Sequence, residues 1–494
     1  MGGESFINAV REFADNILAM ARPAGSPLFI DCLDGEKYSQ GYQLLSGASR
    51  KFSLSNLAQQ QHLIRMLVEL TRITGDEKYQ TAARDAIAFA FLNFSDSAGL
   101  LLWGGHGAIA LPVHAVAFES AKGLRHELKC VYPYYEFMWQ VNAQATQKYI
   151  EAFWNAHVID WSRLDFSRHG HYQTPIGRVW DSVYSPDPVF FWGQGLTFVN
   201  TGSDLYYSAA ALTHLSGLPK PLIWAKRLAG RYVETRQRPI GISGYQFSQC
   251  EKSQCNGPEI RGDRAQYQYA PYIPEGHLVY ESTLFKPRPV VQRCQFHLAE
   301  ILKDQGREFL QWASEELTAW AKVAYRPQDN SFLPMLTDGY SLEGFVIQRD
   351  GYFGPRGRVE NAIFADADFL WVYTHAFRLV KSDLFWSMLR SMAAANGLGD
   401  VGKLPGAQVA LEQKYSVADY RFIYCLFDIY YATENPIYLQ AAADVAQTII
   451  HNCFREGWFT SSEGRFVNRP EALAILRLGA ALLDKEPGSP QAFC

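Results

Sequence analysis

One unit recurs along this chain and limits what it can fold into: an amphipathic helix, a short polar break, a second helix rich in small residues, then a loop. Its clearest copy is LVELTRITGDEKYQTAARDAIAFAFLNF, where Gly75 stops one helix and Asp76 caps the next. Tyr79, Ala82 and Ala86 follow at three- and four-residue spacing and make an apolar stripe. Further copies break near Asn142 (with Tyr149 and Ala152 in the stripe), Gly217, Gly306, Ser382 and Asn435. Such a helical hairpin cannot bury its own apolar face and must stack on its neighbours.

The chain has 494 residues, more than one compact core usually accommodates, yet no Gly/Ser linker or shift of composition divides it. Repeated hairpins resolve this by extending around a ring instead of thickening a core. The long, varied loops after each second helix suit a closed ring better than an open solenoid, because they gather at one end and form a cleft. The expected fold is therefore all-α, an (α/α)7 toroid forming a single domain over 1–494. Seven comes from six breaks plus the N-terminal helix and closing pieces. The turn-rich stretch from Pro239 to Pro274 is expected to add loops or small strands at the rim.

At 48% hydrophobic and 19% charged residues the chain is globular, and its formal net charge of −4 supplies no field that would attract nucleic acid. No run approaches the roughly 18 apolar residues of a membrane span. Eight cysteines form no framework of short regular spacings, and the pair Cys250 and Cys255 reads as ordinary loop residues before a disulfide or metal site. The start, MGGESFINAVREFADNILAMARP, patterns as an amphipathic helix without a signal-peptide core. Cytoplasm is the expected compartment, with periplasm the alternative if an export signal has been removed. No GxxxxGK[ST], GxSxG or HExxH motif is present, which removes the common nucleotide, serine-hydrolase and zincin chemistries.

Three loop segments carry the remaining chemistry. LLWGGHGAI presents His106 between glycines, LRHELKCVYP presents His126, Glu127 and Lys129 near the start of an expected helix, and LDFSRHGHY presents Arg168, His169 and His171. Loops after successive hairpins emerge at one end of a toroid, so these segments are expected to meet. Two imidazoles and a carboxylate suit a divalent transition metal with open positions for substrate. On residue types alone a hydrogen-bonded surface histidine fits His106 equally well, and His126 or His171 can replace a neighbour as ligand.

The segment HELKCVYPYYEFMWQVNAQATQKYIEAFWNAHVIDWSRLDFSRHG, with WGGHG upstream, resembles polysaccharide lyase family 2, the pectate lyases. The resemblance is most specific from Leu101 to Tyr172, and the spacings from His106 to Glu127 and from Glu127 to His169 match the family's metal triad. It implies that His106, Glu127 and His169 hold a metal, manganese first, with cobalt, nickel or zinc as alternatives. It implies Arg168 as the base in a β-elimination on galacturonate oligo- or polysaccharides. From first principles arginine is an awkward base, since its guanidinium stays protonated below a pKa of about 12. A nearby metal would lower its proton affinity, and Lys129, Lys252 and nearby tyrosines stay open as substitutes.

A polyanionic substrate also needs cations. Arg261 and Arg264, in EIRGDRAQY, suit carboxylates through their planar donor fork, with a solvated loop charge as the alternative; Lys129 is a further candidate. Trp103 and Tyr172, with Trp180 and Tyr245, are candidates for stacking on sugar faces. Asp366 and Asp368 stand two apart, which points them to different helix faces and favours capping over catalysis. Competing functions are an unsaturated glucuronyl or rhamnogalacturonyl hydrolase working through an aspartate pair, a sugar epimerase using His106 and His169 as acid and base, and a non-catalytic carbohydrate-binding ring. Oligomeric state is not encoded in any of these features.

Overall fold

In the computed structural model, residues 2–34, 41–47, 52–250, 284–285, 287–348, 354–407, 409–411 and 418–485 are described. Every expected break separates two helices. Helices α1 (Gly3–Met20), α2 (Gln61–Thr74), α3 (Glu77–Phe94), α4 (Tyr135–Val141), α5 (Ala143–His157), α6 (Val199–Ser216) and α7 (Pro219–Glu234) occupy the first half. They are followed by α8 (Pro289–Leu302), α9 (Arg307–Ala319), α10 (Ala367–Val380), α11 (Asp383–Ala395), α12 (Arg421–Thr433), α13 (Ile437–Cys453) and α14 (Pro470–Ala481).

The breaks have local causes. Gly75 and Gly217 end α2 and α6 in the left-handed conformation, at φ 76° each, where a side chain would be strained. The Asp76 carboxylate accepts from Lys78 N and caps α3; the Asn142 side chain accepts from Ala145 N at the head of α5. Asp366 caps α10 by accepting from Asp368 N, and Asp368 pairs with Arg293 at 3.0 Å, so both aspartates serve the scaffold.

Contacts divide the chain into two compact units. Unit 1 comprises 1–152, 169–175 and 397–493, and unit 2 comprises 153–168, 176–396 and residue 494. Within unit 1, α1 packs along α14, so the two ends of the chain make a helix pair of their own. A Cβ on Gly3 would lie 2.5 Å from Gly479 O, so this close approach requires glycine. With the six sequential pairs, seven (α/α) pairs make up the helical scaffold among the described residues, in the all-α class expected from the sequence.

In each unit the first helices of successive pairs pack together: α14 touches α2 and α12 in unit 1, and α8 touches α6 and α10 in unit 2. These inner helices are buried nearly all round, as in α6 from Thr201 to Thr213. Second helices bury one stripe only; α3 buries Tyr79, Ala82, Ala83, Ala86, Ile87 and Ala90. Each fully buried large aliphatic side chain contributes roughly 1.5–3 kcal/mol, and it is this stacking that stabilises hairpins too short to persist alone.

The loops of unit 1 carry a four-stranded antiparallel sheet in the order β1–β4–β3–β2, built from β1 (Tyr42–Leu44), β2 (Ser53–Ser55), β3 (Gly107–Leu111) and β4 (Ala115–Glu119). Short strands follow: β5 (His126–Glu127) in unit 1, β6 (Val158–Asp160) paired with β7 (Asp165–Phe166) in unit 2, and β8 (His169–Gly170), which pairs with β5. Of the stretch expected to add strands at the rim, 251–274 lies outside the described residues; its start contributes a short strand at Ser248–Cys250.

Candidate metal centre

Three separate segments of unit 1 bring His106, Glu127 and His169 together. Where a helix start was expected at His126 and Glu127 the chain forms strand β5, which pairs antiparallel with β8, Glu127 directly opposite His169 and His126 opposite Gly170. Opposed residues in such a ladder project to the same face, and consecutive residues to opposite faces. Glu127 and His169 therefore meet on one side, while His126 turns inward, fully buried, with Nε2 3.4 Å from the Tyr149 hydroxyl. His171 is exposed. Neither histidine replaces a member of the expected set.

His106 arrives from the other direction, one residue before β3. The Glu127 Oε1 atom lies 3.5 Å from His106 Nε2 and 3.6 Å from His169 Nε2, and the two Nε2 atoms are 3.2 Å apart. Bonds of about 2.0–2.2 Å to a common ion, at angles of about 90–110°, set donor atoms about 2.8–3.6 Å apart. The donor set and its spacing thus fit a single transition-metal ion, and it is the one such group of three among the described residues.

The surroundings orient these donors. The second oxygen of Glu127 is taken up by Lys129 Nζ at 3.1 Å and by the backbone N–H of Gly105 at 3.2 Å, leaving Oε1 toward the imidazoles. Burial raises the Glu127 pKa, but the His169 hydrogen bond and the charges of Lys129 and His106 outweigh it and hold the carboxyl at about 2. Burial lowers the His106 pKa, with His169 and Lys122 acting in the same direction and Glu127 and Glu119 opposing. A carboxylate and a neutral imidazole are the forms a metal requires. Side-chain exposure is 4% for His106 and Glu127 and 23% for His169, so approach is from the His169 side.

Glycines make the WGGHG turn possible. Gly104 has φ +103°, and a Cβ there would lie 2.8–2.9 Å from the backbone and Cβ of Glu127. Three residues absent from the expected set hold this turn. Asn56 Nδ2 donates to Gly104 O at 2.6 Å and Gly107 O at 3.0 Å, and the Tyr42 hydroxyl donates to Gly105 O at 2.9 Å. Glu119 Oε2 lies 3.1 Å from His106 Nδ1. Asn56 and Tyr42 had no local signal. Glu119 had one: HGAIALPVHAVAFE is a hairpin pattern centred on Pro112 and Val113, which sets residue 106 across from 119.

The other expected site residues divide. Lys129 reaches the cluster through Glu127, with its side chain 49% exposed. Arg168 is half-buried in the bend before β8. Trp103 is 3% exposed and packs its ring near Tyr149, which corrects its expected role: a ring enclosed by protein offers no face to a sugar. Tyr245, 1% exposed in a core cluster with Phe198, is corrected for the same reason. Tyr172 is half-buried, its hydroxyl accepting from the Trp103 N–H. Trp180 packs against Trp154 and Trp161. Arg261, Arg264, Lys252 and Cys255 lie outside the described residues.

Against known proteins, the family model described as "Periplasmic pectate lyase" matches residues 26–493. A "Pectate disaccharide-lyase" of Dickeya dadantii (strain 3937) is 30% identical over 452 residues, covering 87% of this chain and 80% of that protein. Among solved structures, an unsaturated glucuronyl hydrolase specific for heparin aligns over 98% of this chain and 99% of its own, at TM-score 0.44 and 10% identity. A GH76 α-mannanase of Bacteroides thetaiotaomicron aligns over 97% and 96%, at TM-score 0.43 and 12% identity.

Proposed function

We infer the reaction from one premise: this chain belongs to the periplasmic pectate lyase family and is a polysaccharide lyase. The reading is metal-dependent β-elimination at the α-1,4 linkages of polygalacturonate or its oligosaccharides. The observation that carries it is the convergence of His106 Nε2, Glu127 Oε1 and His169 Nε2 at 3.2–3.6 Å. These atoms would hold a divalent transition ion, manganese first, with cobalt, nickel or zinc as alternatives. When bound, such an ion supplies Lewis-acid neutralisation of the uronate carboxylate, which acidifies the neighbouring C5–H.

The chain's own residues do the rest. Arg168, the residue before His169, takes the C5 proton; the C5–H pair becomes the C4–C5 double bond, and the C4 oxygen leaves with its bonding pair and is protonated by water. A base must be unprotonated and within reach of the proton it takes, so a guanidine acts in this way only after giving up its own proton. Lys129 orients Glu127 by holding Oε2, and its exposed ammonium offers a charge to a second uronate. Arg261 and Arg264 stay candidates for substrate carboxylates, and Tyr172 for sugar contact. The Dickeya relative's name makes an unsaturated disaccharide the product to look for. The comparisons lend no support to the cytoplasmic expectation; the family carries a periplasmic description and no helix among the described residues is long and apolar enough to cross a membrane, so periplasm is the compartment we propose.

The test is ultraviolet absorbance of the unsaturated uronide during incubation with polygalacturonate. Chelator should abolish the increase and manganese restore it, and His106→Ala should behave as the chelated enzyme does. Activity that persists after exhaustive chelation refutes the metal; no absorbance change on polymer or oligomers refutes the reaction.

A further inference from the structure

We propose that Glu119 is a positioning residue that fixes the tautomer and aim of His106, an inference that rests on the metal reading above. Glu119 ends β4, and the register Gly107↔Phe118 places it across the hairpin from His106. The grip is double. The Glu119 backbone N–H donates to His106 O at 3.1 Å, and Glu119 Oε2 lies 3.1 Å from His106 Nδ1. A carboxylate only accepts hydrogen bonds, so Nδ1 carries the proton and, in the neutral ring a metal requires, Nε2 keeps its lone pair. That Nε2 is the atom facing Glu127 and His169, at 3.5 and 3.2 Å. Lys122 holds the other oxygen, Oε1, at 3.3 Å, so the carboxylate plane is set from both sides. A carboxylate behind a ligand histidine raises its basicity and locks its ring, and removing such a partner typically costs about 10–100-fold in metal affinity.

Two measurements on the full chain test this. In the first, metal-stripped wild type, Glu119→Ala and Glu119→Gln are titrated calorimetrically with Mn2+ alone. Glu119→Ala should bind about 10–100-fold more weakly. Glu119→Gln, whose amide oxygen still accepts from Nδ1–H without the charge, should fall between and keeps the test available should the alanine variant not fold. In the second, 15N NMR of the metal-free protein reads the His106 tautomer. Wild type should hold the Nδ1–H form and Glu119→Ala a mixture, a change that loss of packing alone does not produce. Wild-type affinity in both variants, or an unchanged tautomer in Glu119→Ala, overturns the inference while leaving the metal reading intact. No Mn2+ binding by wild type overturns both.

Discussion

Replacing Asn56 with alanine removes the clamp on the WGGHG turn at a point remote in sequence from every expected site residue. Three hydrogen bonds go: Nδ2 to Gly104 O, Nδ2 to Gly107 O, and Ala58 N to Oδ1, the last capping a short helical turn at Leu57–Gln60. Asn56 is buried, so water cannot freely replace it. Leaving the Gly104 carbonyl without its donor costs about 1–3 kcal/mol, the second bond about 1 kcal/mol, and the cap about 1 kcal/mol. The sum, about 3–5 kcal/mol, is a large share of the 5–15 kcal/mol typical of a folded domain. Because His106 sits between the two clamped carbonyls, Mn2+ affinity should fall at least tenfold, about 1.4 kcal/mol. Urea unfolding followed by tryptophan fluorescence, with Mn2+ titration in parallel, measures both. Asn56→Asp sharpens the comparison: it keeps the cap but turns a carboxylate oxygen toward two carbonyls, and should be no more stable than the alanine variant. An Asn56→Ala protein with an unchanged unfolding midpoint and unchanged affinity would refute the claim that this side chain holds the turn.

Two further outcomes follow from unit 1. Gly104→Ala places a Cβ within 2.9 Å of Glu127 at φ +103°, adding about 1–3 kcal/mol of backbone strain and pushing β5 away from the imidazoles; Mn2+ affinity should drop while far-ultraviolet circular dichroism stays that of wild type, and unchanged affinity would show the turn to be pliable. Asp31 accepts from Asn56 N and Gln60 Nε2, but desolvation pushes its carboxyl up from 3.8 to about 7. A raised carboxyl contributes stability that is complete below pH 3.8 and is lost as pH rises through about 7. Asp31→Asn keeps an acceptor and has nothing to ionise, so thermal unfolding across pH 5–9 should show a decline in wild type that the variant lacks, and parallel curves would refute the assignment.

Local features follow from neighbouring residues alone. Helix breaks at Gly75, Asn142, Gly217, Gly306, Ser382 and Asn435 follow from left-handed glycines, caps and polar interruptions that act within a few residues. The Asp366–Asp368 pair was legible as scaffold for the same reason, since an N-cap needs only its own helix. His106, Glu127 and His169 were expected as a set through the resemblance of their segment to the pectate lyases, residue types alone leaving His126 and His171 as alternatives, and the structure brings the three within ligand distance of one another. Which of two adjacent residues faces the cluster depends on the fold. Glu127 does and His126 does not, because a two-residue strand alternates faces and its register with β8 is a long-range pairing. The same holds for Trp103 and Tyr245, whose aromatic character suited a cleft equally well until packing enclosed them. Glu119 meets His106 across the local β3–β4 hairpin, but Asn56 and Tyr42 act through atoms 48 to 63 positions away along the chain. A hydrogen bond depends on distance in space, and that distance exists only once the helix pairs have stacked and carried their loops together.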